Sequence, residues 1–168
     1  DLEIDALLKD CLQSARPSYG WLSEETPDGT TRLNHDRIWI VDPIDGTRAF
    51  INGKTEWCVA AALVARGRPV VAAVYRPMEE EFFSAIAGRG AFFDSTPMAI
   101  ADSVSLEGAR IAGNRKALGI LASSGVHADV SGDLPLQLRL AFVAAGRIDG
   151  AVSIGNRNDW DLAAGDLL

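Results

Sequence analysis

Two carboxylates stand close together at the end of an apolar run in Trp39-Ile40-Val41-Asp42-Pro43-Ile44-Asp45-Gly46-Thr47. Ile38 to Val41 reads as a buried strand, and Pro43, which cannot donate to a sheet ladder, marks its end. Gly46-Thr47 then turns the chain and frees backbone amides. Carboxylates ligate hard cations, and amides at a helix start receive phosphate. Two further acids fall where regular structure stops: Glu24, after the short apolar stretch Tyr19 to Leu22, and Asp161, at the opening of a closing helix from Leu162 onward. Gathered in one place, these acids would form an oxygen-rich pocket. Two such charges about 4 Å apart repel by about 4 kcal/mol at an effective dielectric of about 20. Cations sustain a cluster of this kind, and all-oxygen ligation selects magnesium over zinc or copper. Taken singly, each residue has a plainer reading. Asp-Pro and Asp-Gly are turn signals, Glu24-Glu25 is a solvated pair, Asp161 complements a helix dipole, and Thr47 is a cap.

The elements that must position these residues are legible in the spacing of apolar side chains. Leu2, Ile4, Leu7, Leu8, Cys11, Leu12 and Ala15 recur at helical intervals, with Glu3, Asp5, Lys9 and Asp10 mostly on the other face. Pro17 follows this amphipathic helix. The polar stretch from Pro27 to Asp36 is a surface loop. Thr47 to Asn52 forms one or two helical turns closed by Gly53. Trp57 to Val64 and Pro69 to Tyr75 are strands joined by Arg66-Gly67-Arg68, a hairpin. Glu81 to Ala87 and Ala91 to Phe93 make a second hairpin across Gly88-Arg89-Gly90. Further strands are expected at Met98 to Ala101, Ala109 to Gly113 and Arg147 to Ile154. Lys116 to Ser124 is helical, with Gly125 past its end. Leu134 to Ala145 fits both a strand and a helix period. Asp133 as a cap, Pro135 in a first turn and Gly146 at the close favour the helix. The order is that of a layered α+β protein, not a regular βαβ series.

Composition narrows the function classes. The chain has 168 residues, enough for a single domain with a real core; it is 48% hydrophobic and 23% charged. Lysine and arginine number 16 against 23 acids, a net charge of −7, which argues against nucleic acid polymers. A small phosphorylated substrate remains compatible, because a bound cation inverts the local charge. Cys11 and Cys58 read as two buried free thiols of a reducing compartment. His35 and His127 are too few for a histidine-rich zinc site. No apolar run approaches the roughly 20 residues that cross a bilayer, and no signal-peptide pattern is present, so a cytoplasmic protein without membrane contact is expected. The chain opens and closes in mid-pattern, the expectation for a fragment.

The conjunction of motifs resembles the inositol monophosphatase superfamily of magnesium-dependent, lithium-sensitive phosphomonoesterases. Its elements occur here in order: Glu24-Glu25, then Asp42-Pro43-Ile44-Asp45-Gly46-Thr47, then Trp160-Asp161. The stretches Gly67 to Tyr75 and Gly88 to Phe92 also look like the family's hairpins. The resemblance implies a layered α-β-α-β-α sandwich of the inositol monophosphatase and fructose-1,6-bisphosphatase type, truncated here at both ends. It implies that Glu24, Asp42, the carbonyl of Ile44, Asp45 and Asp161 would ligate up to three magnesium ions. Gly46 and Thr47 would receive the substrate phosphate, with Asp161 also binding substrate; Glu24 and Thr47 would orient and activate a metal-bound water, and Asp45 would also serve catalysis. Asp1 matches a family aspartate near the weakest metal, and Glu25 a supporting acid. A homodimer is the family default.

The resemblance says less about the phosphate ester. Inositol-specific members carry a glutamate where this chain has Ser153. Leu22-Ser23-Glu24-Glu25 and Asn158-Asp159-Trp160-Asp161 look more like bacterial 3′(2′),5′-bisphosphate nucleotidases. Removal of the 3′-phosphate of adenosine 3′,5′-bisphosphate is therefore the expectation, with inositol-1-monophosphatase as the alternative. A further alternative is a non-catalytic role in binding other proteins on the same fold.

Overall fold

The alanine- and valine-rich segments pair as hairpins because small and branched side chains pack closely on a pleated surface. A computed structural model describes residues 1–102, 105–124, 129–131 and 134–168. In chain order it contains α1 (Leu2–Ala15), β1 (Gly20–Ser23), β2 (Arg37–Asp45), α2 (Thr47–Ile51), β3 (Cys58–Ala65), β4 (Arg68–Arg76), β5 (Glu81–Ile86), β6 (Gly90–Phe93) and β7 (Thr96–Pro97). There follow β8 (Arg110–Gly113), α3 (Arg115–Ser123), β9 (Asp129–Ser131), α4 (Leu136–Ala144) and β10 (Gly150–Val152). Strands β1 to β7 lie in one sheet in sequence order, β1 parallel to β2 and every later pair antiparallel. Strands β10, β8 and β9 form a second, parallel sheet.

The two-residue period of β3 assigns its faces. Cys58, Ala60 and Ala62 point into the main core with Leu138 and Ala141 of α4. Val59 and Ala61 point the other way, beside Ile4 and Leu8 of α1. Helix α4 touches β3 and β4 of the larger sheet and β10 of the smaller one. The layering is therefore helix, sheet, helix, sheet. Phe83 anchors the core with no exposed surface, 5.2 Å from the ring of Phe93 and 6.0 Å from that of Phe142. Arg147 lies over all three rings and pairs with Glu81 at 2.6 Å.

Several expectations change. Strand β2 does not stop at Pro43 but runs to Asp45, and its register against β3 shifts between Asp42 and Asp45. The bulge removes the need for a ladder donor where the proline sits. Met98 to Ala101 is not a strand: β7 ends at Pro97, after which Met98 makes one backbone bond to Ala91. Arg147 to Ile154 shortens to β10, because the amides of Arg147 and Ile148 close α4 by bonding to Phe142 O. The closing helix is replaced by a 3₁₀ turn at Asp159–Asp161, with Asp161 N–H bonded to Asn158 O and Leu162 N–H to Asp159 O. The ambiguous leucine-rich stretch is helical, and α4 starts after Pro135 without a side-chain cap. Asp133, Gly125 and His127 lie outside the described residues. Cys58 is buried, but Cys11 is exposed on the outer side of α1. No helix among the described residues is long and apolar enough to cross a membrane.

Phe83→Ala removes a fully buried ring shared by the larger sheet and α4. We expect a loss of about 3–5 kcal/mol in urea unfolding of the full-length protein. A loss below about 1 kcal/mol would mean that this ring is not the centre of the core.

Candidate active site

The four acids converge because the parallel strands β1 and β2 end side by side and the turn at Asp159–Asp161 packs against β2. Val41 and Ile44 are 0% and 1% exposed, and their burial draws the intervening Asp42 down to 2% exposure. The parallel pairing of β1 with β2 sets Ser23 beside Val41, and Glu24 N–H continues it by donating to Val41 O at 3.3 Å. Glu24 is thus carried to the flank of Asp42. Asp45 ends β2, and its Oδ2 accepts from the N–H of Gln137 in the first turn of α4 at 2.7 Å. That amide has no partner within its own helix, so the carboxylate satisfies it. Asp161 is oriented by a capping box: Asn158 N–H donates to its Oδ2 at 2.8 Å, and its own amide bonds to the Asn158 side chain.

The acids also act on one another electrostatically. Burial, then the charges of Asp45, Glu24 and Asp161, push the Asp42 carboxyl from 3.8 up to about 9. Burial and the charges of Asp161 and Glu24 push Asp45 up to about 6, against the Gln137 amide bond and the charge of Arg139, which pull it down. Glu24 is raised by burial, Glu25 and Asp161, and a side-chain hydrogen bond with Asp42 opposes the shift. Each of the four therefore acts on others across segments remote in sequence.

Gly46 adopts φ of +100° as the cap of α2, and a Cβ there would meet Glu56 O at 2.8 Å. Glycine is required on both counts. Thr47 Oγ1 donates to Ile44 O at 3.0 Å, closing the turn between the acids and the helix. Gly46 and Thr47 face an open cavity of about 1100 Å³, which Asp45, Arg48, Lys54 and Arg139 also line.

Asp1 is the N-cap residue of α1 and does not figure among the charges acting on Asp42, Asp45 or Glu24. Glu25 acts on Glu24 from the flank. Ser153 is half-buried and accepts from Arg157 Nε at 3.1 Å and from its Nη2. Three buried polar residues escaped the sequence. Asp5, assigned to the outer face of α1, is buried, and accepts from Ser23 Oγ and from Thr26 Oγ1, the latter at 3.0 Å. Ser23 Oγ in turn accepts from Glu25 N–H at 3.1 Å. Gln137 and Arg139 are buried polar residues in an otherwise apolar helix. A glutamine amid alternating leucines was the available signal, since a buried amide must find partners.

The donor set fits a hard divalent cation. Asp42 Oδ1 is buried with no hydrogen-bond partner, an acceptor that a bound cation would satisfy. As the side chains stand, no group of three or more His, Cys, Asp or Glu among the described residues is arranged to hold one ion.

The chain matches the inositol monophosphatase family over residues 1–168. It is 36% identical over 167 residues to an inositol-1-monophosphatase of Mesorhizobium japonicum, covering 94% of this chain and 62% of that one. It is 34% identical over 169 residues to the Nus factor SuhB of Xylella fastidiosa, covering 94% and 59%. The chain thus spans about three fifths of the length of these relatives. Among solved structures, it superposes with a TM-score of 0.90 on an IMPase/NADP phosphatase complexed with NADP and Ca²⁺, at 26% identity over 99% of this chain and 66% of that one. A staphylococcal inositol monophosphatase soaked in lithium chloride gives 0.88 at 27% identity, over 99% and 64%.

The raised carboxyls set the sign of a pH dependence. Folded Asp42 and Asp45 keep protons that the unfolded chain, with carboxyls near 3.8, has already released. The folded state binds more protons, so stability falls as pH rises through this window. We expect the Tm of the full-length protein in EDTA to fall from about pH 5 to about pH 8, and saturating magnesium to flatten the slope. A Tm that climbs over this range would show that burial and the neighbouring acids do not raise these carboxyls.

Proposed function

The chain belongs to the inositol monophosphatase family, and from that premise we propose that it carries the metal-dependent phosphomonoesterase site of its protein. The observation that supports this most directly is the buried, partnerless oxygen of Asp42 among three other acids. Glu24, Asp42, Asp45, Asp161 and the carbonyl of Ile44 would hold up to three magnesium ions. When bound, such ions acidify a water and neutralise phosphoryl oxygens and leaving alkoxide. The chain's own groups do the rest. Glu24, whose carboxyl is raised and which stands exposed at the rim, takes the proton from the attacking water. Thr47 has its own proton engaged with Ile44 O, so its oxygen is free to accept from that water and orient it. The backbone amides of Gly46 and Thr47 receive the phosphate from the cavity side. Neither cysteine is used, and no covalent phosphoenzyme is required.

For the ester, we favour a nucleotide carrying a second phosphate, the 3′-phosphate of adenosine 3′,5′-bisphosphate being the one cleaved. Ser153 stands where inositol-specific members carry an acid, and the Arg157 guanidinium rests on it. A cation in place of an anion suits a substrate with a further phosphate. A solved relative of the same fold holds NADP, a phosphorylated nucleotide. Inositol-1-phosphate is the second reading, favoured by the name of the Mesorhizobium relative. A protein-binding role is suggested by the name Nus factor of the Xylella relative.

The test is phosphate release by the full-length protein with magnesium from adenosine 3′,5′-bisphosphate, inositol-1-phosphate and fructose-1,6-bisphosphate. We expect the first to be fastest, lithium to inhibit, and Asp45→Asn to slow release by on the order of 10²-fold with its melting curve preserved. Release unaffected by Asp45→Asn would remove the proposed site. Full cellular function in a catalytically dead variant would favour the binding role.

A further inference from the structure

Gln137 has no exposed surface, yet it is polar and lies between leucines in the first turn of α4. Its backbone N–H donates to Asp45 Oδ2 at 2.7 Å. Its side-chain Nε2 donates to Trp160 O at 2.7 Å, and its Oε1 accepts from Gly165 N–H at 2.8 Å. A carbonyl can only accept and an amide N–H can only donate, so one orientation of the side chain satisfies both. Trp160 and Gly165 bracket the turn that carries Asp161. One residue therefore grips Asp45 with its backbone and the Asp161 turn with its side chain.

This grip opposes a definite force. The charge of Asp161 raises the Asp45 carboxyl, and among the described residues no strand pairing joins the Asp161 segment to the rest of the site. The close fit continues at Gly165, where an added Cβ would collide with Leu140 Cδ1 and meet Gln137 Oε1 at 3.0 Å. Glycine at that position lets the backbone N–H come within reach of the amide. Trp160 O and Gly165 N–H would otherwise be unpaired polar groups beside the core, at a real cost.

We infer that Gln137 is a positioning residue of this site: its side-chain amide locks the Asp161 turn against Asp45 and so sets the carboxylates for a shared divalent cation before one binds. This rests on the metal-dependent reading above. A merely structural amide would lower the melting temperature and leave the affinity of the folded protein for metal unchanged. A positioning amide changes that affinity even where the fold is intact.

The experiment is calorimetric titration of the metal-free, full-length protein with Mn²⁺, on wild type and on Gln137→Met, which keeps the volume and loses both side-chain bonds. The expected result is a Kd for Mn²⁺ weakened by about 10–100-fold in the folded variant. The magnesium concentration for half-maximal phosphate release should rise in parallel, with kcat at saturating metal largely retained. Gln137→Asn, which keeps the amide but is one methylene short, should fall between the two. A folded Gln137→Met that binds Mn²⁺ as wild type does overturns the inference and leaves the metal site standing. A wild type that binds no Mn²⁺ overturns the metal reading itself. Should neither variant fold, hydrogen exchange in wild type decides. The Gly165 amide should exchange slowly already in EDTA; protection that appears only with metal would overturn a preformed lock.

Discussion

Mutual repulsion among Glu24, Asp42, Asp45 and Asp161 is the constraint to which the rest of the site answers. Burial of Asp42 to 2% exposure amplifies it, because water no longer screens the charge. The chain tolerates this arrangement by anchoring each acid to a different rigid partner. Asp42 sits between the fully packed Val41 and Ile44, Glu24 follows a strand paired to β2, Asp45 takes an amide of α4, and Asp161 is held in its own capping box. The scaffold that carries the acids is the continuous sheet from β1 to β7 with α4 behind it.

The bulge in β2 is the feature that lets two acids share one strand. In a regular strand, residues 42 and 45 would point to opposite faces, since the side-chain period is two. The register shift against β3 breaks that alternation across Pro43 and Ile44. Both acids can then reach the same edge. Immediately beyond, Gly46 at a positive φ turns the backbone into α2 and leaves room for Glu56 O at its back. Proline and glycine thus do complementary work on either side of Asp45.

Around the acids lies a shell of buried polar groups: Asp5 with Ser23 and Thr26, and Gln137 with Trp160 and Gly165. Each links a core element to a segment that carries a candidate ligand. Polar groups buried in this way favour a single arrangement, since any alternative packing would leave donors or acceptors unpaired. Arg147 plays the corresponding part in the core, laying its guanidinium over three phenylalanines while pairing with Glu81.

The amino-acid sequence by itself determined the secondary elements with strong periodicity and the identity of the acidic candidates. Hairpins β3–β4 and β5–β6 were readable because turn residues and apolar alternation act over a few neighbouring positions. The motif around Asp42 and Asp45 was readable because proline, glycine and threonine restrict the backbone locally. Tertiary structure alone decided that β2 continues through Pro43, that the closing helix is a 3₁₀ turn, and that Asp5 faces inward. It alone brought residue 161 to residues 42 and 45, and supplied Gln137 between them. The physical reason is range. Backbone propensity and turn chemistry are written in adjacent residues, whereas burial, carboxylate repulsion and the satisfaction of a buried amide depend on groups about ninety residues apart that meet only in the folded chain.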